Sequence, residues 1–168
     1  MRYRRRLYAL AAVVVAALIG VLGAAPAQAV DVISCAVQVQ YAHGSTHVSG
    51  TINVVSTVKC TQSVMALKQT TALYKVGGPS WWGTPGTSVG SPSVQSNAAT
   101  SCSQGPGEFY GAAVTQVTWP SGYVGNVQST SYGATTSVAC GIAARVAAGE
   151  QVSDAPVTVA VLTATRTG

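Results

Sequence analysis

Charge is what this chain has least of. Asp, Glu, Lys and Arg make up only 8% of its 168 residues, and just four of them are acidic. Asp31, Glu108, Glu150 and Asp154 are therefore the whole supply of carboxylates, and they read as solvated loop, terminus and strand-end charges rather than as a glycosidase pair. Histidine is scarcer still, with His43 and His47 alone. Three residues separate them, a spacing that lets two imidazoles face one metal ion, yet no third ligand stands nearby and polar-turn histidines are ordinary. Serines abound, but no nucleophile elbow, a serine held at a strand-to-helix turn, is read from the chain. A triad is in any case a geometry that composition does not supply. No two cysteines stand at zinc-ligand spacing. Nothing resembles a long amphipathic helix. These absences point away from enzymes, resident metals and cofactors.

The basic residues are misleading at first sight. Nine Lys and Arg face four acids, but Arg2, Arg4, Arg5 and Arg6 crowd the start. They precede the apolar run Leu7 to Gly23 and the small-x-small site Ala27-Gln28-Ala29, the pattern of a secretory signal peptide cut after Ala29. A retained anchor and a twin-arginine signal are the competing readings, and Pro26 with the small-residue site favours cleavage by the general route. Val32-Ile33-Ser34-Cys35 also has the look of a lipobox, but Pro26, Gln28 and Asp31 separate it from the apolar run, and lipidating Cys35 would leave an odd cysteine. Cleavage leaves 139 residues carrying five basic against four acidic side chains, a net of +1. No basic patch for nucleic acid survives, nor any membrane segment. The expected organisation is a leader, residues 1–29, and one secreted domain, residues 30–168.

What is abundant is Val, Thr, Ser, Gly and Ala, β-branched residues set between turn formers. Ile33, Cys35, Val37, Val39 and Tyr41 share one face of a period-two run, and Val48, Gly50, Ile52, Val54, Ser56, Val58 and Cys60 share another. Between them Ala42 to Thr46 reads as a polar turn, with Gly44 suited to positive φ. The arms differ in length, so a hairpin centred on Gly44 does not set Cys35 opposite Cys60 without a bulge or a change of sheet. Val64 to Val76 is a third apolar segment whose first residues suit a helix equally well. Gly77 to Gly86, which contains Trp81 and Trp82, is expected to be irregular loop. Ser88 to Asn97 reads as a weak edge strand interrupted by Pro92. Glu108 to Trp119, Thr136 to Cys140 and Val157 to Leu162 follow as strands, with Gly149 to Asp154 a polar loop. About seven strands without a helix between them imply an antiparallel, immunoglobulin-like β-sandwich with Greek-key connections. Four cysteines after the leader imply two disulfides in an oxidising compartment. Three pairings are open; the sequential one, Cys35–Cys60 with Cys102–Cys140, is the preferred choice.

Val48-Ser49-Gly50-Thr51 ahead of Cys60, Leu73-Tyr74-Lys75, and Trp119-Pro120-Ser121-Gly122-Tyr123 ahead of Cys140 resemble segments of small secreted actinomycete β-proteins of unknown function. The resemblance covers most of the mature chain. It implies a secreted, disulfide-bonded β-domain and carries over no catalytic residue.

The functional expectation rests on aromatics. Trp81 and Trp82 in a Gly/Pro loop can form a stacking platform for sugar or peptide, with Ser80 and Thr84 placed to bond hydroxyls. The plainer reading folds one indole back to cap the sandwich. Trp119 and Tyr123 look structural, packing about Pro120. The leading expectation is thus a secreted, non-enzymatic module binding an extracellular polysaccharide or protein. An inhibitor of an extracellular hydrolase, presenting Gly77–Gly86 or Ser88–Ala99 as a rigid loop, is the alternative, and a small hydrolase comes third.

Overall fold

The computed structural model describes residues 31–45, 47–140 and 157–167. The expected leader, the expected loop at 149–154, Glu150 and Asp154 lie outside those residues. Twelve strands are described: β1 (Val32–Val39), β2 (His43–Gly44), β3 (Thr51–Cys60), β4 (Ala66–Lys75), β5 (Ser80–Trp82), β6 (Gly86–Val89), β7 (Ser93–Ser101), β8 (Gly107–Thr118), β9 (Tyr123–Gly125), β10 (Gln128–Tyr132), β11 (Thr136–Val138) and β12 (Val157–Arg166). All pairings are antiparallel. Seven strands, β1, β3, β4, β7, β8, β10 and β12, have five or more residues, so the expected number fits the long strands and misses the short ones. Among the described residues no helix is long and apolar enough to cross a membrane.

Two six-stranded sheets result. In the first, β3 is central: β7 lies along one edge, β1 and β2 follow each other along the other, and β12 and β9 continue outward from β1. In the second, β4 and β8 pair over ten residues; β5 and β6 share the far edge of β4, while β10 and β11 share that of β8. Inward faces alternate as the period-two pattern requires. Ile33, Cys35, Val37 and Val39 of β1 meet Ile52, Val54 and Val58 of β3, Leu67 and Leu73 of β4, and Phe109, Ala113 and Val117 of β8 in one apolar cluster. The sheets approach closely where Gly111 lies: a Cβ there would stand 2.5 Å from Val54 Cγ2 and 2.7 Å from Val39 Cγ1.

The organising hairpin departs from expectation at its turn. Gly44 is not the bend; it is a buried strand residue opposite Ile52. The chain reverses over the residues before Thr51, where Gly50 has φ +78°, a conformation that costs glycine little. Cys35 lies directly opposite Cys60 because the reversal falls about four residues beyond Gly44, and a bulge adds one residue to the first arm. Val39 faces Ser56 and His43 faces Asn53, so three residues, Gln40 to Ala42, span the gap that Val54 and Val55 span opposite. One extra residue inverts the pleat, which is why burial passes from Val39 to Ala42 and Gly44 rather than to Tyr41.

Two other expectations change. Val64 to Val76 holds no helix: β4 begins at Ala66 and continues to Lys75, because ten cross-strand pairs with β8 outweigh the weak helical preference of Met65 and Leu67. Gly77 to Gly86 is not wholly irregular either. Its glycines make a tight turn that returns Ser80–Trp82 to pair with β4 as an edge strand, where each strand needs a partner on only one side.

Both disulfides form in the sequential pairing, Cys35–Cys60 and Cys102–Cys140, and no cysteine is free. The loops they close span 25 and 38 residues, a loop-closure contribution of about 3.5 and 4 kcal/mol. Just before β1, Asp31 accepts a 3.3 Å bond from Arg166, whose guanidinium lies 5.7 Å from the Tyr123 ring centroid. Both partners of the ion pair are exposed, so it aligns the first and last strands more than it stabilises them.

The interior is not wholly apolar. Ser56, Gln69, Thr71, Ser96 and Thr115 are buried and form one hydrogen-bonded chain. Thr115 Oγ1 donates to Gln69 Oε1, Gln69 Nε2 donates to Ser56 Oγ at 2.8 Å, Ser56 Oγ meets Thr71 Oγ1 at 2.6 Å, and Thr71 Oγ1 meets Ser96 Oγ. The amide of Gln69, acceptor at one end and donor at the other, sits at the hinge of this chain.

Two outcomes test the packing. Gln69→Leu fills the space but strands the Ser56 and Thr115 hydroxyls, so urea unfolding should show a loss of roughly 2–4 kcal/mol. Gly111→Ala drives a methyl into Val54 and Val39, and the same measurement should show a loss of about 1–3 kcal/mol.

Candidate functional site

The alternation that fills the core decides which aromatics are left outside. On β5, Trp81 turns inward, where its ring lies 6.4 Å from Phe109 and packs against the core cluster. Trp82 turns outward and is 56% exposed. The tryptophan pair is therefore split, one indole packing on the sandwich and one facing solvent.

Trp82 has company that adjacency in sequence does not show. Tyr74 of β4 and Tyr110 of β8 are directly opposite each other, with parallel rings 5.1 Å apart. Trp82 meets Tyr74 edge-on at 6.3 Å, and Tyr132 of β10 meets Tyr110 edge-on at 6.2 Å. Four aromatic rings thus form an unbroken row over four strands, about 14 Å at three strand spacings. Register explains the arrangement. Trp82 faces Ala72, Ala72 faces Ala112, and Ala112 faces Tyr132. Ala72 and Ala112 are on the outer face yet buried, each directly opposite one of the large flanking rings, Trp82 and Tyr132.

Among the described residues the surroundings of the row are mostly polar and nearly uncharged. Along the same face run Thr70, Val114 and Thr130, then Lys68, Gln116 and Gln128, with Gln116 Nε2 donating to Gln128 Oε1 at 3.3 Å. Glu108 is exposed beyond Tyr110 on β8. The Tyr74 phenol is held above its ordinary value, first because burial disfavours the anion and then because charge on Tyr132 and Tyr110 would repel it. The row therefore offers indole and phenol faces and phenol hydroxyls, with the Tyr74 phenol uncharged at neutral pH. Such a surface can stack on the apolar faces of sugar rings while its rim exchanges hydrogen bonds with hydroxyls.

Other sequence candidates are placed differently. His43 Nδ1 lies 2.9 Å from the Tyr41 carbonyl and His47 belongs to the hairpin tip. No group of three or more His, Cys, Asp or Glu is placed to share a metal ion among the described residues. Gly86-Thr87-Ser88-Val89-Gly90 spells a Gly-x-Ser-x-Gly motif, which the reading of the sequence passed over. It is strand β6, paired with β4, and Ser88 Oγ donates to the Ser93 carbonyl; no helix follows it. Neither proposed inhibitory loop projects as a long free segment. Gly83 N donates to Thr71 O and β6 continues along β4, while most of Ser88–Ala99 lies in β7 against β3. Trp119 is buried with its indole N–H on the Asn126 carbonyl.

Comparison with family models, with curated proteins and with solved structures returns no match. The surface must be read from its own geometry.

Because Tyr74 ionises later in the folded chain than in the unfolded one, the stability linked to it is intact below the ordinary tyrosine value near pH 10 and declines as pH rises beyond it. Thermal unfolding followed from pH 8 to 11 should show a shallower decline for Tyr74→Phe than for the natural chain.

Proposed function

We propose that this protein is a secreted, non-catalytic binding module whose aromatic row holds a neutral extracellular polysaccharide. The observation that carries the reading is the continuity of Trp82, Tyr74, Tyr110 and Tyr132 across one sheet face, set on strands rather than on mobile loops. Strand placement keeps the ordering cost of binding low. Among the described residues only Lys68 of β4 and Glu108 of β8, flanking the row on opposite sides along the strands, bring charge to that face, which suits a ligand rich in hydroxyls and poor in ions. A row crossing four strands fits an extended chain better than a single sugar. The two disulfides support an extracellular setting, since such bonds persist in oxidising compartments.

Covering the exposed half of one indole removes on the order of 100 Å² from water, worth about 2.5 kcal/mol. Retention on insoluble polysaccharides should therefore fall between tenfold and a hundredfold for Trp82→Ala, with Tyr132→Ala close behind and thermal stability nearly unchanged in both. Trp81→Ala should instead lower stability, because that indole packs on the core. No retention on any of a panel of neutral polysaccharides would remove this function.

A further inference from the structure

The opposite face of the sandwich carries a concavity unconnected with the aromatic row. The hairpin tip lies beside the outer side of β3 and β7 and forms with them a cleft of about 260 Å³. The tip is internally braced: Ser45 Oγ accepts from the amides of His47 and Val48, and Thr51 Oγ1 donates to the Val48 carbonyl. Val48, Val55 and Ala99 give the lining its apolar part, and Asn53, Asn97 and Gln95 its amides. The lining residues include no Lys, Arg, Asp or Glu.

One atom in this wall is out of balance. Asn53 Oδ1 is sealed from solvent and accepts no hydrogen bond, an unfavourable state that is uncommon among buried polar atoms. A turn of the Asn53 side chain would expose its acceptor to the cleft, where a ligand N–H could satisfy it. The amide of Asn97, on the strand beside it, has its own donor to offer. Gln95 Oε1 is engaged by Thr57 Oγ1, so its free end is the NH2 group. An acceptor, amide donors and an apolar surface match the three parts of an acetamido group: N–H, carbonyl and methyl.

We propose that this cleft is a second binding site, specific for a small uncharged ligand bearing an acetamido group, such as an N-acetylated hexosamine. It holds its ligand independently of the aromatic row, with Asn53 Oδ1 as acceptor, the Asn97 side chain as donor to the ligand carbonyl, and Val55 and Ala99 under the methyl.

Backbone amide NMR titration with N-acetylglucosamine, and in parallel with glucose, tests the assignment. N-acetylglucosamine should shift Val48, Val55, Asn97 and Ala99, and glucose should leave them at least tenfold less affected. Asn53→Leu removes the unpaired carbonyl, so it should keep or raise the melting temperature while weakening binding by tenfold or more. Ala99→Leu should fill the cleft with a similar loss, and Trp82→Ala should bind as the natural protein does. Absence of shifts at millimolar sugar would overturn the site. Equal response to both sugars would overturn the acetamido assignment, and loss in Trp82→Ala would overturn its independence by assigning the signal to the other face.

Discussion

The two sheets face each other as they do because a chain of uncharged polar side chains must close inside the sandwich. Ser56 and Ser96 are direct partners across β3 and β7, and Gln69 and Thr115 are direct partners across β4 and β8. Gln69 and Thr71 then reach from the second sheet to Ser56 and Ser96 in the first. Slipping any of these strands by one residue would move its hydroxyl or amide to the outer face and leave the others sealed without partners. The penalty for such an orphan exceeds the gain from any one bond. The chain therefore acts chiefly against wrong registers, a role that a uniformly apolar interior of valines and alanines would fill poorly.

Register in turn creates the outer surface. A side chain directed inward by this chain commits its neighbours outward: Gln69 and Thr71 inside place Thr70 and Ala72 outside, and Thr115 inside places Val114 outside. Tyr74 stands opposite Tyr110 because β4 and β8 are held in that alignment and no other. The same polar contacts that specify the interior thus set the spacing of rings more than one strand away. A face built this way has positions as fixed as the core behind it.

Much of the fold was legible from period-two patterning. The inward faces of β1, β3 and β8 can be read directly as Ile33 to Val39, Ile52 to Val58 and Phe109 to Val117, and the sequential disulfides follow the preferred pairing. The bulge before His43 was less so, since one extra residue in a strand leaves the local composition unchanged and displaces only the phase. Gly44 misled for that reason: a glycine in a polar stretch looks like a turn until the partner strand fixes where the chain reverses. Gly77 to Gly86 misled differently, because glycines that exclude a central strand still permit a three-residue edge strand after a tight turn.

The candidate surface was legible only in part. Adjacent Trp81 and Trp82 draw attention as a pair, yet alternation sends neighbours to opposite faces, so adjacency on a strand is the arrangement least able to build a common platform. The true companions of Trp82 are Tyr74, Tyr110 and Tyr132, dispersed over 59 residues of sequence and brought together by three separate strand registers. No linear motif contains them. The signal that was available lay in parity: each tyrosine sits one residue from a buried position, after Leu73, after Phe109 and after Ser131. Each is therefore outward on its strand as soon as the core face is known. A surface of this kind becomes readable only after the interior has been solved, because its residues are defined by which side of the sheet the core has left them.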